Sequence, residues 1–136
     1  MRKIIVLCLL ITYSFSSNNN YEQKLYEKIL PAIYQKEKII YFTNSKSKSV
    51  LQNSNILISS LSCEDADIII GKKFDNLPIN CRNKPIFGTS YRSFLNFDNS
   101  IGAFYWRKGR PQIKFKLATL KKYNLELPKS LMEFAQ

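Results

Sequence analysis

Apolar and polar residues alternate most regularly near the end of the chain. The alternating run consists of Ile113, Lys114, Phe115, Lys116 and Leu117. A period of two places the three apolar side chains on one face of a strand and the two lysines on the other. Residues 101–106 are apolar on both faces, and the polar connection Arg107–Arg110 contains Gly109, which can adopt the positive φ of a hairpin loop. The pattern therefore predicts two antiparallel strands joined by a tight turn.

Two short helices are expected after this hairpin. Leu117 and Leu120 are spaced for a helical turn, and Asn124 suits the left-handed position that ends a helix. Pro128 can open a last helix because the first helical position needs no N–H partner. The residues that this last helix would turn inward are Leu131, Phe134 and Ala135. The chain is thus expected to end packed against its own core.

Short runs of β-branched and aromatic residues predict four further strands. They lie at residues 39–43, 56–58, 66–71 and 85–88. The run at 66–71 has no alternation, as expected for a strand buried on both faces of a parallel sheet. Residues 45–53 are polar with one Val-Leu pair and fit either a weak helix or a loop.

Helical patterns occur before and between these strands. Asn20 and Gln23 have the spacing of a capping box, and Pro31 is expected to kink or break the helix that follows because proline removes a backbone hydrogen bond. The inward residues of this helix would be Leu25, Ile29 and Ile33. A second helix, capped at its start by a Thr or Ser hydroxyl, is expected over residues 90–97. Strands alternating with short helices indicate an α/β fold: a small single domain with a mainly parallel sheet, short helices and a C-terminal antiparallel hairpin.

The first residues have the features of a secretory signal peptide. Two basic residues precede the apolar run 4–11, and the Ser-Phe-Ser sequence that ends at Ser16 offers a small-x-small cleavage site. The apolar run is much shorter than the roughly 20 residues that a spanning helix needs. A retained membrane anchor is the alternative. The sequence therefore predicts a signal peptide at residues 1–16 and a single exported domain at residues 17–136.

The chain is strongly basic, with 21 Lys and Arg residues against 10 Asp and Glu residues and no His. Loss of two basic residues with the signal peptide lowers the formal net charge from +11 to about +9. Such a surface attracts polyanions, although solubility alone can also require it. The lysines are scattered along the chain, so no nucleic-acid site is predicted. An electrostatic contribution to docking on an acidic protein or membrane surface is the alternative to solubility.

Two common features of catalytic and cofactor sites are missing from the sequence, namely histidine and a glycine-rich phosphate loop. The absence of His removes the commonest general base and metal ligand, and the four glycines are isolated, so no phosphate loop is present. Glu64, Asp65 and Asp67 fit no complete calcium-loop motif and are expected to form a solvated turn. No catalytic residue, metal site or cofactor is predicted, and the protein is not expected to be an enzyme.

Two cysteines remain after export, Cys63 and Cys81, because Cys8 leaves with the signal peptide. An oxidising compartment makes such a pair a candidate disulfide. Closure of a loop of that size would stabilise the fold by about 3 kcal/mol. Two free thiols are the alternative.

The predicted hairpin carries residue types that are enriched in the hot spots of protein interfaces. Trp106 shares a strand face with Phe104 and is expected either in the core or at a partner surface. The opposite face would hold Ile101, Ala103 and Tyr105. The candidate partner-binding residues of the hairpin are Trp106, Arg107, Lys108 and Arg110.

The closing run IKFKLATLKKYNLELPKSLMEFA resembles the closing segment of the YfiR-like family of small bacterial periplasmic proteins. In that family a strand ending in an Asn-Leu pair leads into an Ala/Arg-rich helical turn, a Leu-x-Ile/Leu step and a Leu-Leu-x-Leu-Ala helix. The positions that match this pattern and are expected in the core are Phe115, Leu117, Leu125, Leu131 and Ala135. Lys116 occupies the place of the family's Asn, and the resemblance weakens before residue 101.

The resemblance implies a soluble periplasmic protein that docks on an inner-membrane signalling enzyme. The partner would be the periplasmic domain of a diguanylate cyclase or a sensor histidine kinase, whose output the protein would repress. The resemblance also implies cysteines that pair in the periplasm. The alternative function is a small-ligand-binding periplasmic protein that serves a transporter or a sensor. A small ligand and a second copy of the chain are further candidate partners.

Cleavage of the predicted signal peptide can be tested directly. We expect a mature protein that begins near Ser17 and is recovered from the periplasmic fraction, because the apolar run directs export and the Ser-Phe-Ser site directs cleavage. Intact-mass analysis of that fraction locates the new N-terminus. Recovery of a chain that retains Met1 in the membrane pellet would contradict the prediction.

Overall fold

The computed structural model describes residues 17–43 and 54–136. The predicted signal peptide, including Cys8, and the polar segment 45–53 lie outside these described residues. None of the helices within the two described ranges is long and apolar enough to cross a membrane.

Six strands form one sheet in the described part of the chain: β1 (Ile39–Phe42), β2 (Leu57–Ser59), β3 (Ile68–Gly71), β4 (Ile86–Gly88), β5 (Ser100–Arg107) and β6 (Arg110–Phe115). Their order across the sheet is β2-β1-β3-β4-β5-β6, and neighbouring strands are parallel except for the antiparallel pair β5–β6. β3 is buried along its whole length, as its unbroken apolar run predicts. The α/β class, the mainly parallel sheet and the C-terminal hairpin are confirmed.

The long helix α1 (Ser17–Tyr34) packs on one face of the sheet. Asn20 lies within this helix, so the predicted capping box at that position is wrong. The helix also continues through Pro31, so the alternative of a break does not occur. The lost N–H bond falls in the last turns, where packing on the sheet offsets it. α1 ends at a left-handed Gln35 (φ 55°), and the Lys36 N–H donates to the Pro31 carbonyl at 3.2 Å.

The side chains of α1 and of the sheet form the larger hydrophobic core. Tyr26 is fully buried there, with its ring centre 5.5 Å from that of Phe87 and the two planes perpendicular. Other buried members include Ile29, Leu30, Ile33, Ile39, Tyr41, Ile68, Ile70, Phe104 and Phe115. Leu25, predicted to face inward, is partly buried at the margin of this core.

The opposite face of the sheet is covered by shorter elements joined by a disulfide. The bond links Cys63 to Cys81, with the two Cα atoms 6.0 Å apart. Each cysteine belongs to a single-turn 3-10 helix, Cys63–Asp65 or Ile79–Cys81. The buried apolar residues around the bond are Ile69, Phe74, Leu77 and Ile86. The pairing expected from the sequence is therefore present in the structure.

The short helix α2 (Tyr91–Asn96) lies beside β5 and follows β4 directly. The Ser90 hydroxyl caps it by accepting a hydrogen bond from the Ser93 N–H at 3.2 Å. Phe94 is 1 % exposed, so the helix buries the aromatic residue that its pattern directs inward.

A β-bulge interrupts the start of β5. Two successive residues of β4 pair with Ser100 and Gly102 of β5, which leaves Ile101 as the extra residue. Ile101 is therefore buried in the same core as Phe104. Its predicted position beside Ala103 on the opposite face is wrong.

The strand β6 ends earlier than the alternation predicts. Phe115 is its last residue and is fully buried, but Leu117 opens the helix α3 (Leu117–Lys122) and is 40 % exposed. The expected core position of Leu117 is therefore wrong. Asn124 has the predicted left-handed conformation after this helix, with φ 58°.

The last residues return to β6. The 3-10 helix Lys129–Phe134 follows Pro128 and contributes Leu131, which is partly buried against the larger core. Ala135 then forms a parallel bridge with Phe115, and the Gln136 N–H donates to the Phe115 carbonyl at 2.8 Å. Leu125 also contacts the larger core. The closing segment therefore packs on the core, although its last helix is a 3-10 helix.

The disulfide can be tested chemically. Denatured but unreduced mature protein, which lacks Cys8, should gain no mass on alkylation. Cys81→Ser should lower the free energy of unfolding by about 3 kcal/mol, because the unfolded chain is no longer closed into a loop. Mass spectrometry and chemical denaturation measure the two effects. Reduced wild-type protein is the matched control and should unfold like the variant. Full alkylation in the absence of reductant would show that the bond is missing.

Candidate functional site

The β5–β6 turn consists of only two residues, Lys108 and Gly109. Their φ angles are 51° and 75°, and Arg107 pairs directly with Arg110 across the ladder. Positive φ at both central positions defines the type of turn that matches the twist of hairpin strands. The connection predicted from Gly109 is confirmed. A short, regular backbone thus carries three exposed cationic side chains.

Lys108 is an unexpected residue at this place in the turn. A side chain with a β-carbon costs roughly 1–2 kcal/mol in the left-handed region, and turns of this type favour Asn-Gly or Asp-Gly. The conformation of the turn alone therefore disfavours lysine at position 108.

Two exposed aromatic side chains lie near the base of the turn. Trp106 is 40 % exposed, and Tyr21 of α1 is 46 % exposed. The Trp106 ring lies 5.7 Å from the ring of buried Phe104 and 6.0 Å from that of Tyr21. Trp106 therefore lies at the margin of the core. This position is intermediate between the two that the sequence predicts, the core and a partner surface. The hairpin surface, as used below, consists of Tyr21, Trp106, Arg107, Lys108 and Arg110.

Sequence reasoning missed Tyr21 as part of this surface. The one sequence feature that pointed to Tyr21 was its position a helical turn before Leu25, on the side of α1 that faces the sheet. Its proximity to Trp106 depends on how α1 packs across the sheet, which no local pattern gives.

An apolar cavity of about 230 Å³ adjoins the hairpin surface. Its walls are formed by Tyr21, Leu25, Phe104, Pro111, Gln112, Ile113, Leu131 and Phe134. The cavity thus joins α1, the hairpin and the closing segment, to which Leu131 belongs. A partner side chain inserted here would bury apolar area directly beside the cations, which is the usual arrangement of an interface hot spot.

The cations of the hairpin surface have no ion-pair partner within residues 17–43 and 54–136. The single salt bridge found there joins Lys36 to Asp67 at 2.9 Å. Exposed and unpaired cations on a turn attract an acidic partner and speed its approach.

Tyr105 lies on the other face of β5, away from Trp106. Its ring is 5.9 Å from that of Tyr91 on α2. Desolvation raises the pKa of Tyr105, and the Arg107 guanidinium partly offsets this rise. Tyr105 is therefore neutral at physiological pH, and the charge of the hairpin comes from its basic residues.

Lys116, at the position where the family resemblance expects Asn, packs against α2. Its ammonium group lies 4.9 Å from the centre of the Phe94 ring and donates to the Phe97 carbonyl at 3.4 Å. Desolvation lowers the pKa of Lys116, and Asp98 partly counters that effect. Lys116 thus contacts the end of a helix and is not part of the hairpin surface.

The acidic residues near β3 have structural partners. Asp67 accepts hydrogen bonds from the Lys36 ammonium and from the Ile40 N–H, each at 2.9 Å. Glu64 accepts one from the Asn80 side chain, which links the two 3-10 helices. No group of three residues that could hold a metal ion occurs among the described residues. The contacts of these carboxylates join neighbouring elements of the fold.

A second candidate site was not predicted from the sequence. A cavity of about 500 Å³ opens at the carboxyl ends of β3 and β4. This basic pocket is lined by Lys72, Lys73, Asp75, Ser90, Arg92, Ser93, Asn96 and Phe97. Its two groups of lining residues are far apart in the sequence, and the parallel pairing of β3 with β4 brings them together. The adjacent lysines were the only local signal.

No protein-family model matches the chain, and none of the curated proteins compared with it matches either. A crystal structure of a conserved domain protein from Vibrio cholerae O1 biovar eltor has a similar fold, with a TM-score of 0.52 at 12 % sequence identity. The similarity covers 87 % of this chain and 58 % of the Vibrio protein, so the chain spans little more than half of that protein's length. At this identity the likeness shows the fold alone. The YfiR-like resemblance stays a prediction.

Replacement of Lys108 by Asn separates the conformation of the turn from its charge. We expect Lys108→Asn to raise the free energy of unfolding by about 1 kcal/mol, because Asn tolerates the left-handed conformation better. Lys108→Ala removes the same charge, but Ala does not tolerate the left-handed conformation as Asn does. This variant should therefore not raise the free energy of unfolding. Chemical denaturation of the two variants measures the difference. A less stable Lys108→Asn protein would mean that the lysine side chain supports the fold.

Proposed function

We propose that the protein is an exported regulatory binding protein that docks on another protein through the hairpin surface. By resemblance to the YfiR-like family, the proposed partner is the periplasmic domain of an inner-membrane signalling enzyme. This enzyme would be a diguanylate cyclase or a sensor histidine kinase, and docking would repress its output. Residues 17–136 would form the mature periplasmic domain.

The observation that carries this proposal is the lysine at the tip of the turn. Lys108 is strained, exposed and without an ion-pair partner in the described part of the chain. Natural proteins depart from local structural preferences mainly at functional sites. An acidic surface on the partner would give Lys108 and the two nearby arginines the counter-charges that the described residues do not provide.

The composition of the hairpin surface also supports docking. Trp, Tyr and Arg are the residue types most enriched in binding hot spots, and the surface combines all three beside an apolar cavity. In such an interface, cations at the rim act mainly on the rate of encounter, and buried aromatic contacts slow dissociation. The hairpin surface therefore has cations suited to fast association and aromatic side chains suited to slow dissociation.

The disulfide supports an oxidising compartment. Bonds such as Cys63–Cys81 persist in the periplasm and are rare in the cytosol, where thiols are kept reduced. Export would place the hairpin surface in the same compartment as the periplasmic domains of membrane sensors.

A second candidate function is small-ligand binding in the service of a transporter or a sensor. The basic pocket favours it, because its volume of about 500 Å³ is that of a small-molecule site. Affinity capture from solubilised membranes separates the two functions. Recovery of a membrane sensor supports docking, whereas a co-purifying small molecule without a protein partner supports small-ligand binding.

Replacement of Arg107, Lys108 and Arg110 by Ser tests the docking proposal. We expect association with the periplasmic domain of the captured sensor to become slower and less dependent on salt, because rim charges act on the encounter rate. The free energy of unfolding should stay within about 1 kcal/mol of wild type, as is usual for surface changes. Binding kinetics at low and high salt measure the association rate constant.

Two control variants complete this experiment. Phe115→Ala removes a fully buried ring and should cost about 3–5 kcal/mol, so that binding is lost through unfolding. Replacement of the exposed residues Lys28, Lys38 and Lys129 by Ser removes the same charge from positions outside the hairpin surface and should leave the association rate nearly unchanged. A triple hairpin variant that associates at the wild-type rate in low salt would place the docking surface elsewhere.

A further inference from the structure

The basic pocket lies where ligands bind in doubly wound α/β sheets, outside the carboxyl ends of parallel strands. Gly71 ends β3 and Gly88 ends β4, and these two residues are paired in register. The chain leaves the first into two adjacent lysines and the second into α2. The resulting cavity of about 500 Å³ is within the size range of small-molecule sites.

The charged lining of the pocket is not used by the fold. It consists of three cations and one carboxylate, a formal net charge of +2: Lys72, Lys73, Arg92 and Asp75. None of these four side chains makes an ion pair or hydrogen bond within the described residues. A charge of this size complements a phosphate monoester, which carries about −1.5 to −2 near neutral pH.

The uncharged part of the lining is held in place by the fold. The Phe97 ring lies 5.2 Å from the ring of Phe74, in an edge-on contact. Ser93 is 2 % exposed, and its hydroxyl donates to the Ser90 carbonyl at 2.8 Å. A β-carbon at Gly88 would overlap the Ser93 hydroxyl, so the close approach of α2 to the end of β4 requires glycine there. The wall of the pocket that Ser93 and Phe97 form is therefore preformed.

We propose that the basic pocket binds a small organic phosphate monoester. The Arg92 guanidinium supplies the planar fork that pairs with phosphate oxygens, and the two lysines supply point charges. Asp75 is available to accept a hydrogen bond from a hydroxyl group of the ligand. Phe97 offers an apolar wall for its carbon skeleton.

The size of the cavity argues for an ester and against free phosphate. A phosphate ion alone would occupy a small part of about 500 Å³ and would leave both Phe97 and Asp75 without a contact. This site shares no residue with the hairpin surface, so its test is independent of the proposed docking function.

Titration of isotope-labelled protein with glycerol 3-phosphate at low salt tests the proposal. We expect saturable changes in the amide resonances of residues 71–75 and 89–97, with a dissociation constant in the millimolar range or below. Inorganic phosphate and succinate, titrated in parallel to about 10 mM, should bind several-fold more weakly. The first lacks the carbon skeleton and the second lacks the phosphate group.

A pair of charge-matched variants tests the residues. Replacement of Lys72, Lys73 and Arg92 by Gln should weaken glycerol 3-phosphate binding at least ten-fold, and the exposed positions of these residues should leave the fold intact. Replacement of the exposed residues Lys28, Lys38 and Lys129 by Gln removes the same charge outside the pocket and should change the affinity less than two-fold.

Several results would overturn the proposal. Non-saturating changes spread over the surface, or equal weakening in both variants, would show that only the overall basic charge attracts the anion. Equal affinity for inorganic phosphate would refute the organic ligand, and equal affinity for succinate would refute recognition of phosphate.

Discussion

The disulfide between Cys63 and Cys81 is the constraint on which the second face of the sheet depends. β3 is apolar on both faces, so both must be covered. One face has the 18-residue helix α1, whereas the longest described helix on the other is the six-residue α2. Two single-turn helices must therefore exclude water from Ile69 and Ile86, and such short elements are not stable alone. The covalent bond holds them together over the middle of the sheet.

This bond also shapes the basic pocket, because the loop that it closes contains both β3 and the lysines that follow it. Lys72 leaves β3 inside that loop, while the chain returns through Phe74 and Leu77, which pack beside the bond. The path of the segment is therefore fixed at its start by the sheet and at its end by Cys81. The segment that forms this edge of the pocket has little secondary structure of its own, so its position depends on these two attachments.

How far the sequence predicts this protein depends on whether the signal is local. The alternation that ends at Phe115 predicts its strand because one face must be buried, and Gly109 predicts the turn because few residues adopt its conformation. The bulge at Ile101 has no such local signal. The exposure of Leu117 has none either, because β6 ends where Gln136 forms backbone hydrogen bonds with Phe115 and Leu117. The same division holds for the sites. The hairpin cations are neighbours in the sequence and could be found there, whereas the aromatic pair and the basic pocket arise where distant segments meet.

α2 lies between the basic pocket and the face of β5 that is turned away from Trp106. The Tyr91 ring of this helix lies 5.9 Å from that of Tyr105 on the hairpin strand, and the next residue, Arg92, lines the basic pocket. Lys114 of β6 places its ammonium group 5.6 Å from the centre of the same Tyr91 ring. A ligand can alter docking only if it binds two arrangements of the protein with different affinity. α2 is short and capped by one serine, and it lines the pocket through Arg92. It reaches the hairpin strand at Tyr105, on the face opposite Trp106, and this contact lies outside the hairpin surface. Coupling between the pocket and the hairpin surface along this route would therefore pass from Tyr91 through Tyr105 to Arg107, whose guanidinium interacts electrostatically with Tyr105.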